Sequence, residues 1–231
     1  MKTIAIIVAG GSGTRFGAQL PKQFLALAGM PVLMRSIAAF DEALADADHE
    51  IVVTLPAEQT AVWRELCDKH GFAVAHRIVP GGETRWHSVK HALDSLSNVG
   101  EGDVIAVHDG VRPLASLDLI RRAVDTARAK GSAIPVVPLN DSVRQIDADG
   151  TASRALDRST LCAVQTPQAF DARLLIEAYQ EDYLPTFTDD ASVVEHIGRQ
   201  VTLIEGETDN LKITRPVDLA LAEYIVNHHH Q

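Results

Sequence analysis

Glycines and two basic residues follow the first apolar run of the chain, and together they could bind phosphate. The run from Ile4 to Val8 is rich in β-branched residues, as in a strand buried on both faces. A glycine-rich loop presents backbone N–H groups that form a concave anion site. Arg15 and Lys22 could then stabilise the charge that builds up in phosphoryl or nucleotidyl transfer. An ordinary strand-to-helix turn with surface cations is the alternative. The glycines are Gly10, Gly11, Gly13 and Gly17.

This loop matches neither of two familiar phosphate motifs. The dinucleotide fingerprint requires a third glycine three residues after the second, but Phe16 stands there and Gly17 comes one position late. Its acidic residue is also missing, because residues 31–35 contain no carboxylate. The Walker motif requires Gly-Lys-Ser/Thr, which residues 13–15 do not supply, and Pro21 would interrupt a helix that started directly after the glycines. We therefore predict a phosphate loop of a third kind.

Two later turns carry further candidate groups. The glycine backbone of residues 80–88, with the Ser88 hydroxyl, could contact the edge of a base, or the turn could be an N-capped strand-to-helix connection. Asp109 ends a buried strand and could bind a ribose hydroxyl or a Mg²⁺ ion carried by a triphosphate. The alternative for Asp109 is a structural carboxylate that caps a turn and pairs with Arg112. Lys212 could reach a second phosphate or could be a surface lysine.

The elements that must position these groups alternate between strand and helix up to residue 137, which is typical of a parallel sheet with helices on both faces. Ligands bind such sheets at the carboxyl ends of the strands, where the loop 10–22 and the turns 81–88 and 108–113 all fall. We predict one α/β domain over residues 1–231. The predicted strands are 4–8, 50–55, 72–79, 103–107, 132–137 and 200–205, and the predicted helices are 32–44, 57–70, 83–96, 116–130, 171–183, one after 189 and one opened by 215–216.

Residues 139–160 break this alternation and predict a β-hairpin. Residues 141–146 and 152–156 alternate in polarity, and residues 147–150 are a turn signal between them. Because an isolated two-stranded hairpin is marginal in water, it must pack on its own domain or on a second subunit, and we favour the second subunit. Arg158, at its exit, could fork onto a phosphate or carboxylate, or form an inter-strand ion pair.

Composition limits the class of protein. The chain has 231 residues with 46% hydrophobic content, ample for a globular core, and no apolar run long enough to predict a membrane span. The net charge of −10 argues against a general nucleic-acid binder, so we expect no nucleic-acid partner. The first strand begins almost at Met1 without a charged region or cleavage site before it, so we expect no secretory signal and a cytoplasmic location.

Eight short motifs follow one another along the chain: Ala-Gly-Gly-Ser-Gly-Thr-Arg, Pro-Lys-Gln, Gly-Gly-x-x-Arg-x-x-Ser, His-Asp-Gly-x-Arg-Pro, Asp-Arg-Ser, Gln-Thr-Pro-Gln, Thr-Asp-Asp-Ala-Ser and Asn-Leu-Lys-Ile-Thr-Arg-Pro. Their order resembles the 2-C-methyl-D-erythritol 4-phosphate cytidylyltransferase family over nearly the whole chain. The resemblance implies a Rossmann-like nucleotidyltransferase fold of the nucleotide-diphospho-sugar transferase type with a protruding hairpin arm. It also implies a reaction of CTP with 2-C-methyl-D-erythritol 4-phosphate, assisted by Mg²⁺, that forms 4-diphosphocytidyl-2-C-methyl-D-erythritol and pyrophosphate in non-mevalonate isoprenoid biosynthesis.

The resemblance further implies a role for individual residues. Arg15 and Lys22 would be catalytic, and Asp109 would be the candidate metal ligand. Ser142 and Arg158 would cross into the neighbouring subunit's site, so a homodimer through the 139–160 hairpin is implied. The implied CTP-binding residues are Ala9, Gly10, Gly11, Gly13, Gly82, Glu83, Ser88, Asp109 and Gly110, and the implied acceptor-binding residues are Ser142, Arg158, Thr166, Thr188 and Lys212.

Three departures from the family pattern leave a second acceptor as an alternative. Ala9-Gly10-Gly11 replaces the more usual Ala-Ala-Gly, Gly110-Val111 replaces Ala-Ala, and Ser142 replaces Thr. Small size and the hydroxyl are retained, so we expect activity to survive. Ribitol 5-phosphate cytidylyltransferase, a close relative that shares most of these motifs, is therefore an alternative. A nicotinamide-dependent oxidoreductase and a non-catalytic nucleotide-binding protein are the other two.

Overall fold

The computed structural model describes residues 1–10 and 20–228 as an α/β fold. Its strands are β1 (Thr3–Val8), β2 (Ala26–Leu27), β3 (Met30–Pro31), β4 (His49–Leu55), β5 (Arg77–Pro80), β6 (Val104–Asp109), β7 (Ser132–Pro138), β8 (Val143–Ile146), β9 (Ser153–Leu156), β10 (Cys162–Val164), β11 (Gln168–Asp171) and β12 (Leu203–Glu205). Its α-helices are α1 (Val32–Ala43), α2 (Thr60–His70), α3 (Arg85–Asp94), α4 (Leu117–Lys130), α5 (Ala172–Ala178), α6 (Asp190–His196) and α7 (Pro216–His228). None of these helices is long and apolar enough to cross a membrane.

The central sheet has the order β10-β7-β11-β6-β1-β4-β5, and β12 also pairs with β7. Strand β1 runs parallel to β4 and β6, and β4 runs parallel to β5. Strand β11 is antiparallel to both β6 and β7, and β10 is antiparallel to β7. The predicted α/β fold with a mostly parallel sheet is confirmed, whereas β10 and β11 were not predicted, because polar residues and Pro167 interrupt the apolar pattern between them.

Strand β1 lies at the centre because both of its faces are apolar. Ile4 and Ile6 pack with α3, α5 and α6 on one side of the sheet. Ala5 and Ile7 pack with α1 and α4 on the other side. These four side chains are at most 2% exposed, so the end of β1 is a rigid base for whatever follows it.

Local signals set most helix boundaries. Thr84 caps α3 by accepting the His87 N–H, and Gly71 ends α2 in a left-handed conformation with φ of 59°. The N-cap of α6 is Asp189 rather than the neighbouring Thr188, and Asp189 forms a capping box with Ser192. Three predicted elements are too long: the strand predicted at 72–79 is β5, the helix at 171–183 ends at Ala178, and the strand at 200–205 is β12.

The predicted hairpin is present as β8 and β9, which in the described part of the chain pair only with each other. Its side chains are largely exposed, and Ile146 is 68% exposed. Arg154 donates to Gln145 across the two strands, and Arg144 donates to Ser153. The hairpin therefore contributes little to the core of its own chain.

Candidate active site

A cavity of about 420 Å³ lies at the carboxyl ends of β1, β5 and β6. This is the sheet edge where ligands bind in open α/β folds. The cavity brings together eight of the residues that the sequence singled out, from segments far apart in the chain. They are Ala9, Gly10, Lys22, Gly82, Glu83, Ser88, Asp109 and Lys212.

Asp109 is the electrostatic centre of this cavity. Its Oδ1 lies 3.3 Å from Arg85 Nε, and its Oδ2 lies 3.4 Å from Arg112 Nε and 2.9 Å from Lys212 Nζ. Burial alone would raise the pKa of Asp109, but the charges of Arg85, Lys212 and Arg112 outweigh it and hold the pKa well below its usual range. Asp109 is thus ionised at neutral pH, and the cations around it outnumber it.

The turn before α3 is built tightly around Ser88. Ser88 Oγ accepts the Gly82 N–H at 3.0 Å and donates to the Thr84 carbonyl at 3.0 Å. A Cβ at Gly82 would lie 2.4 Å from the Cβ of His87, so this position requires glycine. The turn therefore presents backbone groups of residues 82 and 83 to the cavity in a fixed arrangement.

Lys22 belongs to a short 3-10 helix, Lys22–Phe24, that is tied to the end of β1 through Gln23. Gln23 is 1% exposed, and its Nε2 donates to the Ala9 carbonyl at 2.9 Å and to Gln59 Oε1 at 2.8 Å. The sequence assigned Gln23 no role, although it stands in the Pro-Lys-Gln motif. Its amide fixes the spacing between Ala9 and Lys22 on two sides of the cavity.

Thr166 lies behind Asp109 rather than in the cavity lining. Its Oγ1 accepts the Asp109 N–H at 3.0 Å and lies 3.0 Å from His108 Nδ1. His108 Nε2 lies 3.0 Å from the Arg112 carbonyl, which can only accept, so Nε2 carries the proton and Nδ1 accepts from the Thr166 hydroxyl. Burial lowers the pKa of His108 to about 4, which keeps the ring neutral at neutral pH. His108 and Thr166 together orient the Asp109 backbone.

The remaining predicted residues are placed differently. Gly110 packs beneath the site, where its N–H donates to the Val8 carbonyl at 2.9 Å and a Cβ would lie 2.8 Å from Leu33. Thr188 is exposed, and so are Ser142 and Arg158 beside the hairpin, and none of these three lines the cavity. Arg158 donates to the Asn140 carbonyl rather than to a carboxylate. Gly11, Gly13 and Arg15 lie outside the described residues.

The donor set offers little for a resident metal ion. Within residues 1–10 and 20–228 no three His, Cys, Asp or Glu side chains cluster where they could hold one. Asp109 is the predicted ligand, and its oxygens already face three cations. Ligation by Asp109 stays a prediction.

Known proteins match this chain over almost its full length. A sequence model of the 2-C-methyl-D-erythritol 4-phosphate cytidylyltransferase family matches residues 3–228. A protein of that name from Bacteroides fragilis is 47% identical over 222 residues, which is 96% of this chain and 98% of the relative. A crystal structure of 4-diphosphocytidyl-2C-methyl-D-erythritol synthase from Anaerococcus prevotii superposes with a TM-score of 0.81 at 28% identity, covering 98% of this chain and 96% of that one. The Thermus thermophilus 2-C-methyl-D-erythritol 4-phosphate cytidylyltransferase structure superposes with a TM-score of 0.76 at 31% identity, covering 98% and 100%.

Proposed function

The chain belongs to the 2-C-methyl-D-erythritol 4-phosphate cytidylyltransferase family, and on that premise we propose that it transfers the cytidylyl group of CTP to 2-C-methyl-D-erythritol 4-phosphate. The products are 4-diphosphocytidyl-2-C-methyl-D-erythritol and pyrophosphate, as in non-mevalonate isoprenoid biosynthesis. One observation of the fold carries the proposal: in a protein of net charge −10, Lys22, Arg85 and Lys212 converge on one cavity. Such a cavity suits a polyphosphate substrate.

The chemical step is a direct in-line displacement. An oxygen of the acceptor phosphate attacks the α-phosphorus of CTP, a new P–O bond forms, and the bond from the α-phosphorus to the bridging oxygen breaks. Pyrophosphate leaves with the electron pair. The attacking phosphate is already ionised at neutral pH, so no general base is needed. Lys22, together with Arg15, holds the triphosphate and stabilises the charge that develops at the transferred group.

The other residues divide between the two substrates. The backbone of Ala9, Gly10, Gly82 and Glu83 and the hydroxyl of Ser88 surround cytosine, and Asp109 and Gly110 hold the ribose. Gly11 and Gly13 contribute backbone to the CTP site. Lys212 binds the acceptor phosphate, for which it must leave Asp109, and Thr188 and Thr166 belong to the same side of the site. The location of Thr166 behind Asp109 fits a role in orienting that residue.

Mg²⁺ accompanies CTP in this proposal. Magnesium in nucleotide sites is held by one or two carboxylates together with substrate phosphates, so a single carboxylate such as Asp109 fits a metal that arrives on the triphosphate. When bound, the ion supplies charge neutralisation at the phosphates. We further place the reaction in the cytoplasm, where CTP is available.

The proposed assembly is a homodimer joined through the 139–160 hairpin. Two strands that pair only with each other in the described chain, and that expose Ile146, gain a partner surface in a dimer. Arg158 and Ser142 would then complete the acceptor site of the partner subunit. Their exposure and their absence from the cavity lining of their own chain support this assignment.

Pyrophosphate release in the presence of CTP and Mg²⁺ tests the function. We expect turnover with 2-C-methyl-D-erythritol 4-phosphate and not with ribitol 5-phosphate, and we expect Lys22→Ala to lower kcat/KM by about 100-fold or more. Lys69→Ala is the matched control, because Lys69 is exposed in the last turn of α2. Turnover only with ribitol 5-phosphate would change the acceptor but keep the chemistry. A lack of turnover with both acceptors would contradict the enzymatic function.

A further inference from the structure

Arg85 bridges two carboxylates, of which one lies in the active-site cavity and the other in the core. Arg85 is the first residue of α3, and its guanidinium Nε lies 3.3 Å from Asp109 Oδ1. Its Nη2 lies 2.7 Å from Oδ2 of Asp190, the first residue of α6. The side chain of Arg85 is 25% exposed, and that of Asp190 is 0% exposed. The sequence assigned a role to neither residue.

Asp190 is fully engaged within the fold. Its Oδ1 accepts the Tyr179 hydroxyl at 2.7 Å, and its backbone N–H donates to Gln168 Oε1 at 3.0 Å. Tyr179 stacks on Trp86 with ring centroids 5.3 Å apart. Burial, with the nearby charge of Asp190, raises the pKa of Tyr179 well above its usual range, so the hydroxyl keeps its proton and donates. Asp190 therefore binds Arg85 and Tyr179, and because it is fully buried it cannot contact a substrate.

The three cations around Asp109 differ in how they are held. Arg85 is anchored from behind by Asp190. Arg112 is anchored by the Asn210 carbonyl, to which its Nη1 donates at 2.8 Å. Lys212 is 41% exposed, and among the described residues its ammonium is held by Asp109 alone. Of these three cations, Lys212 is thus the one that can exchange its partner easily.

We propose that Asp190 is a positioning residue for the transfer reaction, which holds Arg85 against Asp109 and so keeps Asp109 oriented for CTP, both before and after Lys212 leaves for the acceptor phosphate. This inference rests on the proposed function. An arginine fork offers five donors that suit phosphate as well as carboxylate. Without a buried counter-charge, Arg85 would turn towards the phosphates of CTP, and Asp109 would lose a partner.

A double-mutant cycle tests whether Asp190 acts through Arg85. Asp190→Asn, Arg85→Gln and the double variant are compared with the wild type by steady-state kinetics. We expect Asp190→Asn to raise the KM for CTP about tenfold while the KM for the acceptor changes by less than about twofold. In the Arg85→Gln background, Asp190→Asn should have no further effect. An equal effect in both backgrounds, or an effect confined to the acceptor, would overturn the proposal.

Two further variants separate positioning from folding. Tyr179→Phe removes one hydrogen bond to Asp190 without leaving a charge unpaired, and it should raise the KM for CTP less than Asp190→Asn and only when Arg85 is present. Asp189→Asn alters the cap of α6 but not the partner of Arg85, and it should leave the KM for CTP unchanged. Thermal unfolding of each variant shows whether it is folded. If Asp190→Asn does not fold, the Tyr179→Phe cycle decides.

The same cycle can be measured without turnover. In calorimetric titration with CTP alone, Asp190→Asn should bind CTP more weakly than the wild type. In the Arg85→Gln background, Asp190→Asn should not change the affinity for CTP. If the wild type turns over no acceptor, the proposed function fails, but the CTP titration still supports or overturns the role of Asp190. Equal CTP affinity of the wild type and Asp190→Asn would overturn it.

Discussion

In the active-site cavity each oxygen of Asp109 has a cationic nitrogen within 3.4 Å, whereas the polar side chains of the β8–β9 hairpin pair with one another at the surface. The charged groups of the cavity find their partners inside one chain, although they come from distant segments. The hairpin leaves Ile146 exposed and its own strands without a third neighbour among the described residues. The proposed function accordingly assigns nucleotide binding to the single chain and makes the acceptor site depend on assembly.

Removing the charge of Asp109 should have the largest effect on activity and on stability. Asp109→Asn leaves Arg85, Arg112 and Lys212 facing one another, so we expect kcat/KM to fall about 100- to 1,000-fold. We also expect the free energy of unfolding to fall by about 3 kcal/mol, because the largely buried Arg112 and the partly buried Arg85 lose a counter-charge. Kinetics and urea denaturation measure the two effects. Asp94→Asn is the control, since Asp94 forms an exposed pair with Lys90, and an equal loss of stability in both variants would contradict this account.

Mixing two impaired variants tests whether the hairpin completes the partner subunit's site. We expect Arg158→Ala to lower kcat/KM for the acceptor about 10- to 100-fold, with less effect on CTP. A heterodimer of Arg158→Ala and Lys22→Ala chains contains one intact site, so refolding an equal mixture should restore about a quarter of wild-type activity, as expected for a two-fold dimer. Each variant refolded alone provides the baseline activity. Activity that never exceeds this baseline would show that each chain uses its own Arg158.

The buried histidine predicts a smaller effect, on the pH dependence of stability. His108 is 0% exposed, packs on Phe40 and is faced by Asp109, Arg112 and Arg85. Its pKa is lowered to about 4, so the unfolded chain takes up a proton that the folded chain does not as the pH falls from about 6.5 to 4. Stability should therefore decrease over that interval by at most about 3 kcal/mol and level off below it.

Urea denaturation of the nucleotide-free protein at several pH values measures this slope. His108→Gln should make it shallower, because glutamine can replace the hydrogen bonds without titrating near pH 5. His70→Gln is the control, since His70 is exposed at the end of α2 and should leave the slope unchanged. A slope unchanged by His108→Gln would show that groups other than His108 cause the pH dependence of stability.

Local sequence patterns predicted much of the fold because strands, helix caps and turns depend mainly on interactions between residues that are close in sequence. The apolar β-branched run became β1, the turn within residues 80–88 is N-capped by Thr84, and the turn at 147–150 joined the two strands of the hairpin. The antiparallel strand β11 escaped prediction because its place between β6 and β7 depends on pairings that are distant in sequence. The cap of α6 is a local feature, but Thr188 and Asp189 are both favourable capping residues, and the sequence alone did not decide that Asp189 is the N-cap.

The sequence by itself determined which residue types meet at the carboxyl edge of the sheet, because strand–helix alternation brings successive loops to that edge. Lys22, Ser88, Asp109 and Lys212 could be singled out in this way. Only the tertiary structure decided how they are held. The pairing of Arg85 with Asp190 spans 105 positions and the support of Asp109 by Thr166 spans 57, and no local pattern encodes such contacts. Packing selects them, because a buried charge or donor must find its partner wherever the fold places one.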